Sequence, residues 1–94
     1  MAASAPQTVA FAIGGPLNHA DLPGLCRRIS ALLERTDAEV VLCDVTLAGP
    51  DAVTVDALAR VHLAARRRGC STRLCGASSE LIDLLDFAGL RDVL

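Results

Sequence analysis

The residues of this chain that could do chemistry gather in its middle: Asp44, Thr46, Asp51, Thr54 and Asp56, then His62 and the triplet Arg66-Arg67-Arg68. Carboxylates at such short spacing could act as a general acid and base, or hold a hard cation. Catalysis would need them to converge with a base, and the chain has two histidines, His19 and His62. His62 falls at the edge of an apolar helical stripe, where a histidine more often packs than ligates or takes a proton. There is no P-loop, no G-x-S-x-G elbow and no C-x-x-C pair. Turn and cap roles explain the aspartates more simply, so no enzyme activity, catalytic residue or cofactor is assigned.

The four cysteines give no clear metal site. Cys70 and Cys75 make a C-x4-C spacing with His62 near in sequence, but zinc sites show tighter pairs and a second pair. Cys43 and Cys75 fall inside predicted strands and Cys26 at the edge of a helical stripe, as reduced cysteines used as small hydrophobes do. The arginine triplet could meet a phosphate. It precedes Gly69, however, and cations before a glycine also suit a helix C-terminus, by the dipole and by a left-handed cap. Without a glycine-rich loop the capping role is the stronger reading.

Composition narrows the classes. Ninety-four residues make one small domain, 52% hydrophobic, with net charge −2. Phe11 and Phe87 are the whole aromatic complement, which argues against stacking platforms for single-stranded nucleic acid. The weak negative charge offers no footprint for DNA or an anionic membrane. All nine basic residues are arginine, a usage typical of GC-rich bacterial genomes. No run approaches the roughly 20 apolar residues of a membrane span, and the start lacks the basic and apolar regions of a leader. A cytoplasmic chain with no membrane insertion is expected.

The elements that must position these residues follow from periodicity. Residues 1–7 are expected to be a disordered terminus and 8–94 the folded domain. Thr8 to Ile13 reads as a strand closed by Gly14-Gly15-Pro16. A helix to about Arg35 follows, with Asp21 as N-cap and Pro23 in its first turn. Its stripe is Leu22, Leu25, Cys26, Ile29, Leu32 and Leu33. Glu39 to Val45 is a buried-strand run, and a helix from about Val53 to Arg68 buries Val55, Leu58, Val61 and Ala65. Ser71 to Cys75 is the next strand. A last helix from Ser78 buries Leu81, Leu84, Leu85 and Ala88 and stops at Gly89, with Leu90, Val93 and Leu94 folding back. Strand and helix in alternation specify an α/β domain: a small mixed or parallel sheet of about four strands carrying three main helices. The loop after Val45 lies at a strand's carboxyl end, where open α/β sheets place their working surface.

This order resembles the STAS domain, the fold of bacterial anti-sigma factor antagonists. Phe11-Ala-Ile-Gly14 looks like that family's early strand. Val40 to Asp51 looks like its strand and acidic loop. Arg68-Gly69-Cys70 through Ser78, then Leu84-Leu85-Asp86-Phe87-Ala88-Gly89-Leu90, looks like its glycine turn, strand and terminal L-x-x-x-G-L helix. The match spans about residues 8–94 and appears one strand short at the N-terminus. The family loop reads Asp-Ser-Ser-Gly-Leu, with one serine phosphorylated by a kinase that is also the anti-sigma factor. Counting back from Gly69 sets Asp51 on the family aspartate, Ala52 and Val53 on the serines, Thr54 on the glycine and Val55 on the leucine. Ala52 has no hydroxyl, so Thr54 becomes the candidate phosphorylation site, against a plain role as N-cap or first-turn residue. A phosphate there would add roughly −1.5 to −2 charges beside Asp51 and Asp56.

The resemblance implies a non-enzymatic protein-interaction module acting in transcription regulation and signalling. Its partner would be an anti-sigma kinase-type ATPase, or alternatively a transporter ATPase of which the chain is an accessory subunit. Asp51, Thr54, Asp56, Arg60 and Leu63 are the expected partner-binding residues: charges for orientation and on-rate, Leu63 for buried contact. Ordinary capping and surface roles compete for each of them. A weak homodimer through an unpaired edge of the first strand is a further expectation.

Overall fold

A computed structural model describes residues 7–90. Strand β1 (Thr8–Ala12) leads through a short 3-10 turn (His19–Asp21) into helix α1 (Leu22–Glu34). Strand β2 (Val40–Asp44), helix α2 (Ala52–Arg67), strand β3 (Ser71–Cys75) and helix α3 (Ser79–Phe87) follow. The strands form one parallel sheet in the order β1-β2-β3. Val9 pairs with Val41 and Val41 with Thr72. The described residues thus hold the expected α/β arrangement of three helices on a sheet that is parallel throughout, with three strands where about four were expected. Only three runs between residues 7 and 90 are apolar enough and free enough of breakers to be strands.

Sheet order explains the layering. Both crossovers advance the sheet in one direction, and right-handed crossovers then put α1 and α2 on the same face. Burial agrees. Val41, Cys43 and Val45 point under the helices and are all but fully buried. Their alternates Val40, Leu42 and Asp44 face the other side and keep contact with solvent. The core under the helices joins Ile13 and the β2 residues to Leu25 and Ile29 of α1, Leu58 and Val61 of α2, and Leu81 and Leu85 of α3.

Local chemistry sets the helix ends. α1 is entered from Asn18, whose Oδ1 accepts the Ala20 N–H while the Asp21 carboxylate accepts the Asn18 N–H, a reciprocal capping box. Asp21 therefore does not cap α1 as the sequence suggests. Its own backbone is already helical and its side chain makes no cap bond to α1, because the 3-10 turn moves the first free N–H groups upstream. α2 ends as expected: the Cys70 N–H reaches Ala65 O and the Gly69 N–H reaches Arg66 O. Gly69 takes φ +73 to permit this. Arg66 and Arg67 lie in the last turn, and Arg68 pairs with Glu34 at 3.0 Å.

Burial within the helices departs from the expected stripes in detail. In α2, Thr54 and Ala57 are buried whereas Val55 is only half-buried, and Ala88, just past the end of α3, is exposed. Leu90 packs half-buried against the core, its N–H bonded to Leu85 O, while Val93 and Leu94 lie outside the described residues. So does the expected frayed segment except for Gln7, whose carbonyl accepts the N–H groups of Glu39 and Val40.

Candidate functional site

The carboxyl ends of the three strands meet at one corner, and the chain turns there with few free polar groups. The Asp44 Oδ1 accepts both the N–H (3.0 Å) and the hydroxyl (2.6 Å) of Thr46, a local turn that starts the loop. These two bonds hold the Asp44 carboxyl below its ordinary pKa. Two glycines admit the loop from either side. A Cβ on Gly14 would meet Leu47 Cβ at 2.9 Å, and a Cβ on Gly76, already at φ +74, would collide with Thr46. The Gly15 N–H bonds to Leu47 O and the Ala48 N–H to Val45 O. Leu47 is left at the crest of the loop with 79% of its surface exposed.

Asp51 closes the loop and starts α2. Its backbone is extended and its Oδ1 accepts the Thr54 N–H at 2.9 Å, satisfying one of the free donors of the first turn. The cap is thus Asp51 and not Thr54. Thr54 is 1% exposed and turned toward the sheet. Its hydroxyl is enclosed in this fold, which speaks against the roles in phosphorylation and partner binding expected of it. The periodicity gives the cause: Thr54 lies within the arc of Leu58, Val61 and Ala65, so α2 carries it inward.

The other expected residues do share a surface. Asp56 and Arg60 pair at 3.1 Å across one turn, and the carboxylate strengthens the guanidinium's hold on its proton. Leu63, half exposed, lies on the same outer arc of α2. This leaves Asp51 at the head of the helix, the ion pair along its flank and Leu63 farther down. Leu47 extends the apolar part of this region and escapes a periodicity argument, because loops have none. Its only sequence signal is an isolated leucine between Thr46 and Ala48-Gly49-Pro50.

The carboxylates do not assemble a reaction centre. Asp44 is held by Thr46, Asp51 by the helix start and Asp56 by Arg60. Among the described residues no group of three His, Cys, Asp or Glu side chains could hold a metal ion. His62 is half-buried and its Nδ1 is buried without a hydrogen-bond partner. All four cysteines are free. Cys43 and Cys70 are buried, the latter with its Sγ 3.0 Å from Ala38 O. Cys75 is exposed, contrary to the sequence reading, since the last residue of β3 faces the side without helices. Among the described residues no helix is long and apolar enough to cross a membrane.

The family model for the STAS domain matches residues 1–94 of the chain. No curated protein matches it.

Proposed function

The chain belongs to the STAS domain family, and from that premise we propose that it is a non-catalytic interaction module of the anti-sigma factor antagonist kind. Its partner is an anti-sigma kinase-type ATPase in the cytoplasm of a bacterium. The partner docks on the loop 46–51 and the outer arc of α2, with Leu47 and Leu63 as apolar anchors and Asp51, Asp56 and Arg60 as the polar surround. The observation that carries this reading is the pair of leucines exposed on the segment that follows β2. Apolar anchors ringed by charge are the common anatomy of a transient interface.

The regulation differs from the family pattern. Ala52 stands where the family places a phosphorylated serine and offers no hydroxyl, and Thr54 is enclosed. Binding is therefore set by the partner's level or state and not by phosphate at residue 52 or 54. The same two residues favour a second reading, an accessory subunit of a transporter ATPase, which needs no phosphate switch.

A tagged pull-down from the native host tests both. Leu47→Arg and Leu63→Arg are compared with the wild type, and each variant is checked for an unchanged melting curve. Recovery of a kinase-type ATPase that is lost in both variants supports the first reading. Recovery of a transporter ATPase puts the second first. A partner retained equally by all three proteins refutes the assigned face.

A further inference from the structure

The three helices lie side by side on the sheet with α2 in the middle, packed against α1 on one side and α3 on the other. The outward surfaces of α1 and α3 differ in charge and in shape. On α3, Phe87 is 93% exposed, more than any other large apolar residue described. Asp83 precedes it by four residues and Glu80 by seven, so all three share one arc of the helix. Both carboxylates are exposed, and neither has an ion-pair partner among the described residues.

On α1 the pattern inverts. Leu17, Ala20 and Ala31 line an open hollow of about 610 Å³, and Arg27 and Arg28 border it. Both arginines are exposed and without an ion pair among the described residues. Asp21 also borders the hollow, with its carboxylate turned to the Asn18 N–H at 3.0 Å.

An aromatic knob beside two unneutralised carboxylates thus faces one way, and an apolar hollow beside two unneutralised guanidiniums the other. With α2 between them, the two surfaces cannot meet within one molecule. We propose that they bind each other between copies: Phe87 of one chain enters the hollow of a second, with Glu80 and Asp83 against its Arg27 and Arg28. Aromatic and arginine side chains are the groups that most often dominate interfaces. The opposed charges fix orientation and make the contact sensitive to salt. Knob and hollow are different surfaces, so the contact is head-to-tail and extends into a chain or closes into a ring. Helices this short bury little area, so the association is weak and concentration-dependent. It leaves the Leu47 and Leu63 face free, and it differs from pairing at the β1 edge.

Sedimentation velocity over a concentration series, at low and high salt, tests the proposal. The wild type should sediment faster as concentration rises, and less so at high salt. Phe87→Ala removes the knob, and the double variant Arg27→Glu/Arg28→Glu reverses the hollow. Each alone should associate at least about tenfold more weakly. An equimolar mixture of the two retains one intact knob and one intact hollow, and should give a one-to-one dimer with nothing larger. If Phe87→Ala shifts the melting curve, Glu80→Arg/Asp83→Arg takes its place; mixed with Arg27→Glu/Arg28→Glu its reversed charges match again at the second contact, so that mixture should recover assembly beyond the dimer while each variant alone stays weak. A wild type that stays monomeric throughout overturns the proposal. So does association that survives both variants, or a mixture that fails to form the dimer.

Discussion

Thr54 and Asp51 are bonded to each other through one N–H group, yet the fold gives them opposite surroundings: the carboxylate faces solvent and the threonine faces the core. Placing a charge at residue 54 would strand it in an apolar layer, which costs several kcal/mol unless a partner is found. Thr54→Glu is therefore expected to lose most of the stability of so small a domain, whereas Thr54→Val stays folded. Urea unfolding of the two variants checks this, and a Thr54→Glu protein as stable as wild type would return residue 54 to the candidates for a phosphate switch. Cys43 illustrates the same enclosure by titration. Burial first, and Cys75 nearby second, push its thiol from 9.0 up to about 11. Between those values the unfolded chain has lost the proton while the folded chain keeps it, so this residue's contribution to stability is present below pH 9 and falls as pH rises toward 11. Alkaline melting curves of wild type and Cys43→Ala should converge across that window. At neutral pH a thiol reagent should modify exposed Cys75 well before Cys43.

At the scale of elements, α2 is the part that joins fold to function, because its two sides answer to different demands. Its inner side buries Leu58 completely, and truncating such a residue removes transfer energy and leaves a cavity. Leu58→Ala should cost about 2–5 kcal/mol. Leu63→Ala, on the outer arc, should change stability by no more than about 0.5 kcal/mol, although it removes an apolar anchor of the proposed interface. Guanidinium unfolding of the two variants separates these roles, and a large loss in Leu63→Ala would mean that the residue serves the fold and not a partner. The loop before α2 is equally specified. Gly76 lies at positive φ with Thr46 packed where a Cβ would stand, so the end of β3 and the start of the loop fit only without a side chain there. The start of the loop that carries Leu47 thus depends on a glycine just past the end of a different strand.

Across the whole molecule, one core serves all three helices, and no second cluster exists among the described residues that could unfold on its own. Loss of secondary structure and exposure of Cys43, a core residue of the central strand, should therefore occur in one transition. Circular dichroism and thiol accessibility followed in the same urea series should give coincident midpoints. An earlier release of Cys43 would reveal a partly open state. The sheet face away from the helices carries Val40 and Leu42 half-exposed beside Arg73, although parallel sheets usually have both faces covered.

The sequence by itself determined the alternation of strands and helices, since each strand is a short apolar run and each helix a stripe of period 3.6, two of them closed by a glycine. Gly69 and Gly89 mark two helix ends in the sequence, and both sit at positive φ with the bonds of a left-handed cap. It determined the loop after β2 and the shared outer arc of Asp56, Arg60 and Leu63, because those positions follow from spacing along one helix. The family pattern carried by those elements was legible for the same reason. Only the tertiary structure decided which side of α2 faces the sheet closely enough to enclose Thr54, and that Asn18 caps the entrance to α1. It alone decided that Leu47, Cys75 and Phe87 stand in solvent. Burial at those positions depends on what packs across from them, and residues far apart in the chain supply that: Gly76 against Thr46, Gly14 against Leu47, and a sheet that keeps helices on one face.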